Sequence, residues 1–236
     1  MTTLNLPSRI LTIDIGGTGI KGCILDSDGN MLEEYCKVPT PETADPDNVL
    51  HSIMVLASGL GEFEAISAGF PGYVRDGIVF TAPNLENASW NGVNLNQLLE
   101  EKLGRPARVV NDADMQGLGF AEGNGLEMVM TLGTGFGTAL MLNGVLLPHL
   151  ELAHLPVTKN KDYDAWIGEE ALHKVGEKKW NRRMEKVLHT FRTVVNYDRL
   201  YISGGNAKKL NFELDSNVRI VSNKDGIRGG ARLWQS

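Results

Sequence analysis

The chain of 236 residues has little of what marks several protein classes. It contains only two cysteines, Cys23 and Cys36, without metal-ligand spacing, so a disulfide framework is disfavoured and reduced thiols in a cytoplasm are expected. Neither an apolar run of about 18 residues nor a cationic leader occurs, so no membrane partner and no secretion signal are expected. With 23 Lys and Arg against 29 Asp and Glu, the formal charge is -6, which disfavours a nucleic-acid partner.

The P-loop motif G-x-x-x-x-G-K-[ST] is also absent, which excludes the P-loop class of nucleotide-binding proteins. What is present is a globular composition, 42% hydrophobic and 22% charged, with 27 glycines. The length allows one large domain or two small ones. Strand-like and helix-like segments alternate along the chain, so an α/β fold is expected.

The N-terminal segments 10–15, 22–26 and 31–38 predict a three-stranded antiparallel meander with a tight Asp-Gly turn at 27–30. From residue 127 the pattern of strand, Gly/Thr turn, strand, Gly turn and strand returns, which predicts an internal repeat of architecture. Other predicted strands lie at 65–70, 107–110, 127–132, 138–142, 145–147 and 199–202, and predicted helices at 47–60 (capped by Asp47), 94–103, 113–122 and 178–196.

Glycine-rich turns are the first feature with chemical meaning. The segment DIGGTGIK at 14–21 follows a predicted strand, and GTGFG at 133–137 lies in the matching place of the second half. Glycines let backbone N–H groups approach phosphate oxygens; Thr18 and Lys21 add a hydroxyl and an ammonium, and Asp14 is placed to hold Mg²⁺. The residues expected to contact phosphate are Gly16, Gly17, Thr18, Gly19, Lys21, Gly133, Thr134, Gly135, Gly137, Gly204 and Gly205.

The first glycine turn has two alternative interpretations. Gly17, Gly19 and Gly22 satisfy the dinucleotide fingerprint G-x-G-x-x-G, but that interpretation needs a helix to begin there, and a strand is predicted instead. A tight turn without a ligand is the other alternative. Two glycine turns in equivalent positions favour a pair of hairpins that bind one polyphosphate chain.

Asn111 and Asp112 stand where a predicted strand meets a predicted helix. Phosphoryl transfer needs positioning, charge neutralisation and a group that accepts a proton. Asp112 is therefore the candidate base and Asn111 a candidate for orienting the acceptor, with a helix cap as the structural alternative. Glu151 and His154, at i and i+3, suit adjacent sugar hydroxyls, with a solvated pair as the alternative. A metal there is disfavoured because no cysteine and no second close histidine are expected nearby.

Together these motifs resemble the ROK (repressor, ORF, kinase) family of sugar kinases, over about residues 9–234. DIGGTGIK and LGTGFG are similar to its two phosphate motifs, NDAD at 111–114 to its catalytic segment, and ELAH at 151–154 to its sugar-binding segment. Many members carry a Cys-rich zinc segment after the sugar histidine. Zinc is not expected here, and the zinc-free form most resembles the polyphosphate glucokinase branch.

The resemblance implies an actin-like ATPase (RNase H-like) fold with two α/β lobes and a cleft between them. The expected lobes are 1–112, completed by the tail 225–236, and 113–224. It also implies a cytoplasmic, Mg²⁺-dependent kinase, with Asp112 as base for the 6-hydroxyl of glucose or a related hexose. Dimers are common in that family, so a homodimer is one expectation and the oligomeric state stays open. The implied sugar-binding residues are Asn84, Asn111, Glu151, His154 and, as third carboxylate, Asp164, or else Glu169 or Glu170.

Three questions stay open at this level. The donor is polyphosphate, ATP or both, because glycine hairpins suit either. The acceptor is glucose or another hexose such as fructose, mannose or N-acetylmannosamine, and a non-catalytic sugar-binding relative is the alternative outside the enzymes. A basic groove for polyphosphate, or simply a solvated surface, is expected at Lys159, Lys161, Lys174, Lys178, Lys179, Arg182 and Arg183.

Overall fold

The structure is a computed structural model that describes residues 6–235, with only the backbone of residues 223 and 224. The described residues form two compact units. The first comprises the chain up to Gly119 together with the segment from Gly226 onward, and the second is Phe120–Asp225. Within residues 6–235, every helix is too short or too polar to cross a membrane.

Strands and helices alternate in both units. The strands are β1 (Ile10–Ile15), β2 (Gly19–Leu25), β3 (Cys36–Pro39), β4 (Ala65–Phe70), β5 (Val74–Arg75), β6 (Ile78–Val79), β7 (Ala107–Asn111), β8 (Leu126–Leu132), β9 (Phe136–Leu142), β10 (Val145–Leu146), β11 (Pro156–Thr158), β12 (Lys161–Asp162), β13 (Arg199–Ser203) and β14 (Val218–Ile220). The helices are α1 (Pro46–Ser58), α2 (Asn87–Trp90), α3 (Leu95–Leu103), α4 (Asp112–Phe120), α5 (Tyr163–Ile167), α6 (Glu169–Val175), α7 (Glu177–Val195), α8 (Asn223–Gly226) and α9 (Gly229–Arg232), with 3-10 turns at Leu152–His154 and Ala207–Lys209.

The first unit is built on a sheet of order β3-β2-β1-β4-β7. β1, β2 and β3 pair antiparallel, whereas β1, β4 and β7 pair parallel. All six residues of β4 are buried, as expected for a central strand covered on both faces. Because parallel strands run in one direction, the segments that follow β1, β4 and β7 emerge at the same edge of the sheet. That edge carries Asn111, Asp112 and the first glycine turn, which the sequence predicts as site residues of this unit.

The second unit has an equivalent sheet of order β10-β9-β8-β13-β14. β8, β9 and β10 form an antiparallel meander, and β8, β13 and β14 are parallel. The predicted internal repeat is therefore confirmed as a repeat of sheet topology. The apolar side chains of the helix predicted at 178–196 recur at helical spacing, which predicts one buried face that includes Val194. Trp180, Met184 and Phe191 of α7 do pack into this core, whereas Val194 is 69% exposed.

The N-terminal meander is confirmed in order, but its third strand is shorter than predicted. After a single bridge between Leu25 and Met31, pairing resumes only at Cys36. Between these points the Glu33 carboxylate lies 2.5 Å from Arg9 Nη2 and accepts a hydrogen bond of 2.8 Å from Gly61 N. This contact occupies the segment that the strand pattern assigned to the sheet.

Helix boundaries differ from the predicted ones by a few residues. The cap of α1 is Asp45, whose Oδ1 accepts a 2.8 Å hydrogen bond from Asn48 N, and not Asp47. Pro46 then occupies the first turn, where its missing N–H costs nothing. The turn at Gly204 leads into a single 3-10 turn, Ala207–Lys209, and not into a longer helix.

Candidate functional site

The first glycine turn connects β1 to β2 and is closed by a 3.1 Å hydrogen bond from Gly16 N to Gly19 O. Gly17 and Thr18 at its tip are exposed. Thr40 Oγ1 donates to Gly16 O at 2.5 Å and holds the base of the turn against the end of β3. A strand follows the turn, which removes the dinucleotide alternative because that motif requires a helix there.

Charged side chains stand in a row beside this turn. Asp14, Lys21 and Lys37 are direct neighbours across β1, β2 and β3. Lys21 Nζ lies 3.8 Å from Asp14 Oδ2. Burial raises the pKa of Asp14 above its usual value, and the nearby Lys21 ammonium partly offsets that shift. The row gives this unit both a carboxylate and two ammonium groups at the glycine turn.

The loop between β6 and α2 packs against the same turn through Asn84. A Cβ on Gly17 would lie 3.2 Å from both the Cβ and the carbonyl oxygen of Asn84, so the two backbones approach closely. Asn84 itself is exposed. Asn84 thus lies beside the first glycine turn, and its contact with a sugar stays a prediction.

Asn111 and Asp112 end β7 at this edge and start α4. Asn111 is only 7% exposed, and its Oδ1 accepts from Ala113 N at 2.8 Å and Asp114 N at 3.3 Å. Its Nδ2 donates to Gly72 O at 3.0 Å. The cap alternative therefore applies to Asn111, whose role towards a sugar stays a prediction.

Asp112 is half-buried and lies beside β4, since a Cβ on Gly69 would stand 3.2 Å from the Asp112 Cα. Its Oδ1 accepts a 2.8 Å hydrogen bond from Ala113 N. Glycine at position 69 thus lets the start of α4 approach the sheet. A half-buried carboxylate at the start of a helix, on the edge that also carries the glycine turn, can accept a proton from a bound hydroxyl.

The second glycine turn, between β8 and β9, is fixed from several sides. Gly133 N donates to Gly135 O at 3.0 Å, and Gly137 N donates to Thr131 Oγ1 at 3.1 Å. Asp164 Oδ1 accepts from Phe136 N at 2.7 Å. Thr134 at the tip is exposed. The turn therefore combines an accessible tip with a tightly bonded base.

The third glycine turn is joined to the second. Gly204 has φ of +95°, and a Cβ there would overlap the backbone of Leu132 at the end of β8. Asn206 continues this contact, because its N donates to Leu132 O at 2.9 Å and its Nδ2 to Gly133 O at 3.1 Å. Gly205 is exposed. The second and third glycine turns therefore lie in direct contact, whereas their binding of phosphate stays a prediction.

Glu151 and His154 stand together at the 3-10 turn, 3.9 Å apart between carboxylate and Nε2. A second histidine, His149, lies 3.6 Å from the other Glu151 oxygen with a nearly buried side chain, so the expectation of no second close histidine is wrong. Contact with His149 lowers the pKa of Glu151 below its usual value. Glu151 is thus held ionised between two imidazoles.

His154 has a further partner in Asp162, at 2.8 Å from Nδ1 to Oδ2. This hydrogen bond raises the pKa of His154 above its usual value. The other oxygen of Asp162 caps α5 by accepting from Ala165 N at 2.9 Å. Sequence reasoning missed Asp162, although a capping pattern before α5 was available as a signal.

Asp164 is predicted as the third sugar carboxylate, and the structure places it at the second glycine turn through the Phe136 N hydrogen bond. The neighbouring alternative Glu169 also meets this turn, since its N donates to Thr134 O at 3.1 Å, whereas Glu170 is exposed. Contact of Asp164 with a sugar stays a prediction, with Glu169 and Glu170 as the alternatives.

Within residues 6–235, no cluster of three or more His, Cys, Asp or Glu side chains is arranged to hold a metal ion. In the proposed basic groove, Arg183 donates to Trp166 O at 2.6 Å and Lys161 donates to Ala165 O at 3.4 Å. Those two cations are thus already engaged with backbone carbonyls of the same unit.

Comparisons with known proteins agree on one family. The family model described as "ROK family" matches residues 10–158. Polyphosphate glucokinase from Mycobacterium tuberculosis strain H37Rv is 34% identical over 229 residues, which cover 91% of this chain and 83% of the relative. The crystal structure of inorganic polyphosphate/ATP-glucomannokinase from Arthrobacter sp. strain KM is 30% identical, with a TM-score of 0.85 over 98% of this chain and 99% of that one.

The fold is shared more widely. A ROK family glucokinase from Streptomyces griseus, in complex with glucose and AMPPNP, has a TM-score of 0.77 at 20% identity, over 96% of this chain and 99% of that one. The expected actin-like α/β fold is confirmed by these likenesses. With its family model, its sequence relatives and its fold in agreement, this chain belongs to the ROK family.

Proposed function

We propose that this protein is a sugar kinase that transfers a phosphoryl group from polyphosphate, ATP or both to the 6-hydroxyl of glucose. One observation carries the proposal: a single sheet edge of the first unit presents both an exposed glycine turn and the half-buried carboxylate of Asp112. The relatives that are 30 to 34% identical over nearly the whole chain are named for this reaction.

In the proposed step Asp112 accepts the proton of the glucose 6-hydroxyl. A bond forms between that oxygen and the transferred phosphorus. The bond from phosphorus to the bridging oxygen of the donor breaks, and the leaving phosphate chain or ADP keeps the electron pair. A carboxylate suffices as base when the hydroxyl is well oriented and proton transfer is late.

Asp14 is the residue of the first unit that fits Mg²⁺. The ion typically binds through one or two carboxylates together with water and substrate phosphates, so a single protein carboxylate beside a phosphate turn is an adequate donor set. The Asp14 side chain retains 24% exposure, so it is not sealed from solvent. When bound, Mg²⁺ would neutralise donor phosphate charge; Lys21 and the glycine amides would orient the phosphates.

Sugar recognition is proposed for the second unit at Glu151 and His154. The ionised Glu151 accepts hydrogen bonds from two sugar hydroxyls, and His154, oriented by Asp162, contributes a ring nitrogen. The name of the Arthrobacter relative makes mannose the second hexose to test. A homodimer and a cytoplasmic location stay predictions.

The test is formation of glucose 6-phosphate with Mg²⁺, using ATP or medium-chain polyphosphate, with mannose as second acceptor. Replacing Asp112 by Asn should lower kcat by about 10²- to 10⁴-fold with both donors, because the general base is lost. The matched control is Asp47→Asn on the exposed side of α1, for which turnover should be unchanged. Near-normal turnover of the folded Asp112 variant would contradict the base assignment. Absence of product in the wild type with every donor and both hexoses would contradict the function.

A further inference from the structure

Lys37 on β3 is a residue that the motif analysis did not single out. Its side chain is exposed and faces the same side of the sheet as Lys21, its partner in the β2–β3 register. Yet the side chain leans two residues along β2 towards the glycine turn. A Cβ on Gly19 would lie 2.5 Å from Lys37 Cε and 3.3 Å from Nζ. The ammonium of Lys37 therefore lies over the first residue of β2, where the turn ends.

The charge of Lys37 is also more available than that of Lys21. Lys21 Nζ has the Asp14 carboxylate at 3.8 Å, which neutralises part of its charge. In the part of the chain that the structure describes, Lys37 has no carboxylate within ion-pair distance of 4.0 Å. An exposed ammonium without a counter-ion, held beside a glycine turn whose tip is exposed, is suited to a phosphate oxygen of the ligand.

The glycine at position 19 has a role in this arrangement. Gly19 is the residue whose missing side chain makes room for the Lys37 stem, since any Cβ would meet Cε. Its φ lies outside the left-handed region, so backbone conformation does not explain the residue. The space above Gly19 is used by the lysine.

We propose that Lys37 binds a phosphate group of the phosphoryl donor at the first glycine turn, and that Gly19 is required to let it reach there. This inference rests on the proposed kinase function and adds a donor-binding residue to it. It predicts an effect on the donor and not on the sugar, because the Lys37 ammonium lies over Gly19 at the end of the glycine turn, whereas the proposed charged sugar residues, Glu151 and His154, belong to the second unit.

The experiment compares wild type, Lys37→Met and Lys37→Arg in steady-state kinetics with polyphosphate and with ATP. Lys37→Met keeps the stem over Gly19 and removes the charge, so KM for the donor should rise about tenfold while KM for glucose stays within twofold. Lys37→Arg should restore most of the donor affinity. The rise of donor KM with salt should be less steep in Lys37→Met, since one screened contact is missing.

The matched control is Lys102→Met. Lys102 is also exposed and in the same unit, but it precedes the N-terminal end of β7, at the opposite edge of the sheet from the glycine turn. The KM of Lys102→Met for the donor should equal that of wild type. An equal rise in both methionine variants, or a rise in glucose KM alone, would overturn the inference.

Gly19→Ala provides a second test. The added methyl group should displace the flexible end of Lys37 with little loss of stability, and raise donor KM to a similar extent. In the double variant with Lys37→Met the two effects should not add, because each removes the same contact. Full additivity would contradict the link between the two residues.

Calorimetric binding of tripolyphosphate, in the presence of Mg²⁺ and glucose, separates this inference from the kinase function. Binding that weakens about tenfold in Lys37→Met supports the inference even if the wild type yields no product. Equal affinity in wild type and Lys37→Met overturns it even if the wild type is an active kinase.

Discussion

The two glycine turns occupy equivalent places in two equivalent sheets, but their surroundings differ. The first is bordered by the charged row of Asp14, Lys21 and Lys37 and is held by one side-chain hydrogen bond from Thr40. The second is fixed by Asp164 and by side chains and backbone on either side of it, with no lysine in its bonding pattern within residues 6–235. We infer that the first turn would bind phosphate mainly through charged side chains, and the second mainly through a backbone that is held in a fixed conformation.

The largest expected effect comes from the third glycine turn, which packs against the base of the second. Gly204→Ala places a methyl group on the Leu132 backbone at a φ of +95°, so we expect a loss of about 3 kcal/mol or more in the free energy of unfolding. Gly205→Ala is the matched control, because the space around its Cβ is open and its φ is not left-handed. Urea unfolding of both variants measures the difference. Equal stability would show that the third turn does not hold the second.

The next effect distinguishes an anchor of the turn from a sugar ligand. Asp164→Ala leaves Phe136 N without its acceptor, which should cost about 1–3 kcal/mol of stability and raise KM for the donor. Glu170→Ala, an exposed carboxylate of α6, is the control and should change neither. A rise in glucose KM alone in Asp164→Ala would instead support Asp164 as the third sugar carboxylate. A rise in glucose KM in Glu170→Ala would move that role to Glu170.

The smallest effect concerns the ion pair of His154 and Asp162 in the second unit, which lies at the predicted sugar-binding segment and not at the glycine turn. The raised pKa of His154 means that the folded state binds its proton more tightly than the unfolded state, whose histidine titrates near 6.5. The stabilisation is therefore fully present below about pH 6.5 and lost as pH rises through the folded pKa. Because the His154 side chain is 53% exposed, solvent screening should keep the effect below about 1 kcal/mol.

Asp162→Asn tests this effect, since Asn still caps α5 but no longer carries the charge opposite His154. The pKa of His154, followed by NMR titration, should fall towards its usual value. The decline of stability between pH 6 and pH 8 should flatten, by the linkage between pKa and unfolding. An unchanged His154 pKa in Asp162→Asn would show that desolvation, Glu151 and Asp164 determine it without Asp162.

Much of this organisation is local in origin and was predicted from sequence. The strand β1 at 10–15, the helix predicted at 94–103 and the long helix α7 follow from side-chain periodicity, which acts over a few neighbouring residues. The glycine turns were likewise predicted by their composition. The third strand was predicted too long because Glu33 binds Arg9 and Gly61 instead of continuing the sheet, and Gly61 is far along the chain.

By itself the sequence determined the repeated strand-turn-strand design, the two glycine turns and the pairing of Asn111 with Asp112 at a strand end. Only the tertiary structure decided which side chains converge on them: Lys37 over Gly19, Asp164 at Phe136 N, and Asp162 beside His154. Helices, strands and turns depend on the backbone periodicity of adjacent residues, so a short stretch of sequence predicts them. Convergence depends on sheet register and on the packing of distant segments, which no single stretch of sequence specifies.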